Sequence, residues 1–179
     1  MIEVIFARIL KASRCAASSL FADATLAIKR LPTMRDAMEA IGLFMLFLLA
    51  TGLVSKTAGL VTFPVLVDWA ALSPVLLLIV VTAFFVPALS EELAFRVGLS
   101  GLSGRWRGGL ALAAFVIWHP VQVWLGLPMA QPVFLDPAFL MITALLGLIC
   151  TISYRRSQSI WPPVFIHWLV VVGWKILGG

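Results

Sequence analysis

The chain has 179 residues, 62% of them hydrophobic and only 12% charged, with a formal net charge of +5. Soluble domains run about 45–50% apolar and about 25% charged, so a mean hydropathy of +1.08 excludes an ordinary globular enzyme. Disorder is excluded on the same ground, because disordered chains are poor in apolar side chains. The class that remains is an all-α, polytopic membrane protein, a helical bundle.

The N-terminal segment differs from the rest. Ile2, Phe6, Ile9, Ala17, Leu20, Ala24, Ile28 and Leu31 recur at helical spacing, with Arg8, Lys11 and Arg14 interleaved. That pattern predicts an amphipathic helix lying in the membrane interface. It has no compact apolar core followed by a small-residue cleavage site, so it does not read as a signal peptide. Pro32 ends it, and Met34 is an alternative first residue. Residues 1–33 are therefore expected to be an interfacial segment and 34–179 the transmembrane domain.

Charged residues then mark off the spans. Crossing a ~30 Å hydrocarbon core takes roughly 20 helical residues. The charge-free runs predict about five crossings on that criterion, near 38–55, 69–90, 108–126, 137–154 and 158–174. Run 57–67 is too short and contains Pro64, so it reads as a loop or re-entrant piece.

Five crossings place Arg8, Lys11, Arg14, Lys29, Arg30, Arg35, Arg105, Arg107, Arg155 and Arg156 on one side and only Lys56 and Lys175 on the other. Basic loops stay in the cytoplasm, so the N-terminus is expected there, in a bacterial inner membrane. The positive charge then answers to topology and to anionic lipid headgroups. No motif supports a nucleic-acid partner. The two cysteines, Cys15 and Cys150, have no CxxC or metal-ligand neighbour and read as small packing residues.

Ionisable groups inside spans cost at least about 2.5–3.5 kcal/mol each and mark functional sites by default. Few pass that filter. Ser90-Glu91-Glu92-Leu93-Ala94-Phe95-Arg96 follows the second apolar run. Glu92 and Arg96 stand four apart and can pair on one helix face. Glu91 is rotated about 100° away, leaving one carboxylate neutralised and one available for chemistry. A solvated helix end with a routine ion pair is the plain alternative.

Phe115-Val116-Ile117-Trp118-His119-Pro120 lies in the third span, and Phe115 and His119 share a face. Pro120 strips an amide from the helix and is expected to kink it, opening water access beside the imidazole. In the last span, Pro162 and Pro163 suit a first helical turn, and His167 follows about one turn later. Either histidine alone would more simply be a bond between helices. Depth argues otherwise. At ~1.5 Å per residue, His119 lies about 18 Å from Arg107, His167 about 16 Å from Arg156, and Glu91 about 21 Å from Arg105. One carboxylate and two imidazoles are thus expected at one level.

These residues resemble the CPBP family of intramembrane proteases, which includes the CAAX prenyl endopeptidases and bacteriocin-processing relatives. The family pattern is EExxxR, then FxxxH, then a later helix with HxxxN or HxxxD. Here the first is Glu91 to Arg96 and the second Phe115 to His119, while the third keeps His167 but has Val171 in place of the amide or acid. Tyr154 to Pro162 is similar to the loop before the family's last helix. The short, Trp-rich build is similar to a small bacterial branch that trims C-terminal sorting tags.

The resemblance implies an intramembrane endopeptidase acting near the membrane-embedded end of a membrane-anchored protein or peptide. Glu91 would be the general base, activating a water shared with His119, and His167 would stabilise the oxyanion. Glu92, Arg96 and Phe115 would support them. With Val171 lacking a donor, the indoles of Trp168 and Trp174 or a backbone amide at the kink are the expected substitutes.

Three other readings compete. A Zn²⁺ site could use His119, His167 and Glu91, although the helical HExxH motif is absent. Gly101-Leu102-Ser103-Gly104 imitates the GxSG of rhomboid serine proteases but lies beside Arg105, near the headgroups. A non-catalytic or proton-coupled carrier, immunity or scaffold protein could use the same Glu and His as a relay.

Overall fold

The computed structural model describes residues 18–59, 74–101 and 106–177, and every regular element in them is helical. Residues 1–17, Cys15 among them, lie outside the described residues. So do the 57–67 loop from residue 60 onward, residues 102–104 of the GxSG-like stretch, and Arg105.

Helix α1 covers residues 18–29. Helix α2, Met34–Thr57, starts earlier than the charge pattern predicts. Thr33 caps it in a reciprocal capping box with Asp36, which satisfies amides that would otherwise be orphaned. Element α3 spans 74–101 as a single composite rod. It is α-helical over Pro74–Ala83, π-helical over Phe84–Leu89 around Pro87, α-helical over Ser90–Glu92, π-helical over Leu93–Val97 and 3₁₀ over Gly98–Gly101. Helix α4 is Arg107–Trp124 and carries Pro120 inside it. Asp136 caps α5, Pro137–Ser157, by accepting from the amides of Ala138 and Phe139. Helix α6 is Trp161–Leu177, with Pro162 and Pro163 in its first turn as expected.

Among the described residues, three stretches are long and apolar enough to cross a membrane: Met34–Thr57, Leu77–Val97 and Pro137–Ser157. By length and composition these correspond to three of the five expected spans. Helix α4 has 18 residues and α6 has 17, which at ~1.5 Å per residue falls a little short of a ~30 Å core. A turn through Gly126, at φ 63°, stops α4 soon after Trp124. The second span is also displaced. Its apolar stretch runs on to Val97, so Glu91, Glu92 and Arg96 lie inside it rather than after it.

Helix α5 is central and packs against α2, α4 and α6. Phe47, Phe115, Leu146, Ile149, Cys150 and Ile166 form the main core. Gly147 permits a close approach of α5 to side chains of α4: a Cβ there would meet Leu112 at 2.7 Å and Phe115 at 2.8 Å. A second core joins α1, α3 and α6 through Ala27, Ala88, Val97, Ile160 and Val164. The end of α1 is bonded to the α5–α6 turn. Ile160 N donates to Ala27 O, Trp161 Nε1 to Ile28 O, and Ser159 Oγ to Arg30 O. Leu49, Leu77, Leu78 and Phe85 point outward, as lipid contact requires.

Candidate active site

The α-helical turn Ser90–Glu92 sits between the two π segments of α3, and its two carboxylates go to different partners. Glu92 is fully buried. Its Oε2 accepts from Arg96 Nε at 2.9 Å, the expected i,i+4 pair, and its Oε1 lies 2.9 Å from His167 Nδ1. The guanidinium of Arg96 also stacks on Phe115, 4.9 Å from the ring centroid. Both partners of this pair are dry, so each charge depends on the other.

Glu91 points elsewhere, as its rotation on the helix predicts. Its Oε1 accepts from Trp118 Nε1 at 3.1 Å. Its Oε2 is buried without a hydrogen-bond partner among the described residues and lies 3.9 Å from His167 Nε2. His167 therefore stands between the two carboxylates, one imidazole nitrogen toward each.

His119 is fixed by its own helix. Its Nδ1 lies 3.0 Å from the carbonyl of Phe115. A carbonyl only accepts, so Nδ1 carries the proton and Nε2 keeps its lone pair. Phe115, Phe134 and Phe139 pack around the ring at centroid distances of 5.2, 5.3 and 5.8 Å. Phe115 is fully buried and also meets His167 edge-on at 5.6 Å. It separates the two histidines and holds both. Glu91, His119 and His167 line one cavity of about 890 Å³, mostly apolar, with Thr51, Gln122 and Val171 also on its wall.

A family model for the type II CAAX prenyl endopeptidase Rce1-like proteins matches residues 73–173, more than half of the chain. The chain belongs to this family. No curated protein and no solved structure matches it. Membership and the three long apolar helices make it an integral membrane protein of a CAAX-type intramembrane protease family.

Within this Rce1-like chain one expectation needs correcting. Neither indole is available to replace the missing donor at Val171. Trp168 Nε1 donates to Val80 O at 2.8 Å, tying α6 to α3, and Trp174 Nε1 donates to Gln131 Oε1 at 3.1 Å. The zinc reading gains no support, because among the described residues no three His, Cys, Asp or Glu side chains are placed to hold an ion together. Cys150 is buried, in keeping with a packing role, with its thiol 3.6 Å from Pro163 O.

Two contacts escaped the sequence reading. One is the Trp118 bond to Glu91, for which the only signal was an indole beside His119. The other is the Glu92 bond to His167, across 75 residues of chain, for which there was none.

Proposed function

We propose that the protein is an intramembrane endopeptidase that hydrolyses a peptide bond with a water activated by Glu91 and His119. The observation carrying this reading is the unpaired, buried Oε2 of Glu91, 3.9 Å from His167 Nε2 on the wall of an apolar cavity. A carboxylate oxygen kept dry and aimed at an imidazole is costly, and proton transfer is the use that repays such an arrangement in a protease family.

In this reading a water accepted between Glu91 Oε2 and the lone pair of His119 Nε2 loses its proton to Glu91. The hydroxide attacks the carbonyl carbon of the scissile bond, and the electron pair of the C=O moves onto oxygen. His167 donates to that oxyanion from Nε2 while Glu92 accepts from its Nδ1. When the intermediate collapses, the C–N bond breaks and Glu91 returns its proton to the leaving amine. Trp118 would hold Glu91 in its rotamer, and Phe115 would keep both imidazoles in plane.

The substrate is a protein or peptide anchored in the bilayer and cut near its membrane-embedded end. The N-terminus of the protease faces the cytoplasm of a bacterial cell, on the strength of its basic residues.

Glu91→Gln tests the chemistry. It keeps the size of the side chain and the bond from Trp118 but removes the base, so cleavage should fall by roughly 10²–10⁴ with membrane abundance unchanged. Cleavage by Glu91→Gln at the native rate would refute the assignment.

A further inference from the structure

The cavity has a closed end and an open end, and the charges say which way each one faces. Arg156 pairs with Glu39 of α2, and the guanidinium of Arg155 lies against Gly108 at the start of α4. Ser159 bonds the carbonyl of Arg30. These contacts gather Lys29, Arg30, Arg35, Arg107, Arg155 and Arg156 at one end of the bundle. Among the described residues the other end carries only Lys56 and Lys175 at the ends of α2 and α6.

Between the site and the basic end the bundle is solid. Phe115, Cys150, Ile160 and Val164 are completely buried, and Val97 is 1% exposed. The dry Glu92–Arg96 pair fills the space next to them, and Gly147 leaves no room even for a methyl group. On the opposite side the cavity rises from Glu91, His119 and His167 along Thr51 to Ser55, Pro128, Gln131 and Lys175. Those four residues stand at the ends of α2 and α6 or in the α4–α5 connection, all at the end poor in basic residues.

We infer that the peptide bond reaches the site from the face opposite the basic end, so that the protein cuts membrane-anchored substrates on the extracytoplasmic side. Basic ends of membrane helices remain in the cytoplasm, which turns the mouth of the cavity outward. The occupant is an extended, largely apolar segment at the outer end of a substrate's membrane span, since the walls present few polar partners and the cavity volume is in the range of a ligand site. A cytosolic prenylated C-terminus would meet the closed end. The inference rests on the reading of Glu91, His119 and His167 as the hydrolytic centre.

Two measurements test it. In full-length protein carrying Cys15→Ser, single cysteines are introduced as Thr51→Cys deep in the cavity, Ser55→Cys at its mouth and Arg156→Cys at the basic end. Intact bacterial cells are then treated with a charged, membrane-impermeant maleimide. Thr51→Cys and Ser55→Cys should label in intact cells, and Arg156→Cys only after the membrane is opened. The reverse pattern would overturn the inference, as would a Thr51→Cys thiol that labels only from the Arg156 side or from neither side.

The second measurement compares new protein termini in membranes of cells making the native chain or Glu91→Gln. Termini that depend on Glu91 should fall in segments leaving the outer face of a span, and termini confined to cytoplasmic segments would contradict the inference. If no terminus depends on Glu91, the hydrolytic reading fails, and the labelling pattern alone decides the side of access.

Discussion

His167 Nδ1 lies 2.9 Å from Glu92 Oε1, while its Nε2 faces Glu91 Oε2 at 3.9 Å. One imidazole thus joins a carboxylate that is fully committed to one that is not. Glu92 serves Arg96 and His167 at once, and its burial makes both bonds depend on its full charge.

Glu92→Gln should therefore damage the fold before it damages the chemistry. A neutral amide leaves the Arg96 charge stranded in a dry site, and breaking a buried pair in this way costs about 3–5 kcal/mol. The thermal midpoint in detergent and the folded yield should both drop, and Arg96→Ala should do the same. A Glu92→Gln protein with native stability and native cleavage would show that the pair is not structural.

Trp118→Phe should separate positioning from folding. The ring volume is nearly kept, but Glu91 loses its one hydrogen-bond donor among the described residues. Hydrogen bonds to charged groups contribute about 1.5–3 kcal/mol, so kcat/KM should fall about tenfold to a hundredfold while abundance stays level. An unchanged rate would mean that Glu91 holds its rotamer without the indole.

Gly147→Ala probes the packing that sets both histidines. The added methyl would stand 2.7 Å from Leu112 and 2.8 Å from Phe115, closer than carbon atoms tolerate. Overpacking of this kind costs about 1–3 kcal/mol. Phe115 touches His119 and His167, so activity should decline more than stability does. Equal losses in the two would argue for a purely structural effect.

Val171→Asn addresses the departure from the family pattern. Val171 lines the cavity one helical turn beyond His167, and both nearby indoles are occupied. The new amide should supply a second oxyanion donor and raise turnover on a cleaved substrate. One such donor is worth on the order of 10²–10³ in rate. An unchanged or lower rate would mean that a different group already fills that role.

Much of this protein was legible without its fold. Composition alone demanded a helical membrane protein, because 62% hydrophobic residues leave too few polar groups to cover a soluble domain. Local spacing was enough for the Glu92–Arg96 pair, since i and i+4 meet on any helix. The Pro162-Pro163 start of α6 followed from backbone chemistry in the same way. Counting residues from the basic loops brought Glu91 and His167 to a common depth. What spacing could not show was which groups meet across helices. The Glu92–His167 and Trp118–Glu91 bonds depend on how α3, α4 and α6 are rotated about their axes. Two π segments in α3 alter that rotation without any period in the sequence to announce them. The open end of the cavity likewise belongs to the tertiary structure, because only packing decides where side chains fill the space between helices and where they leave it empty.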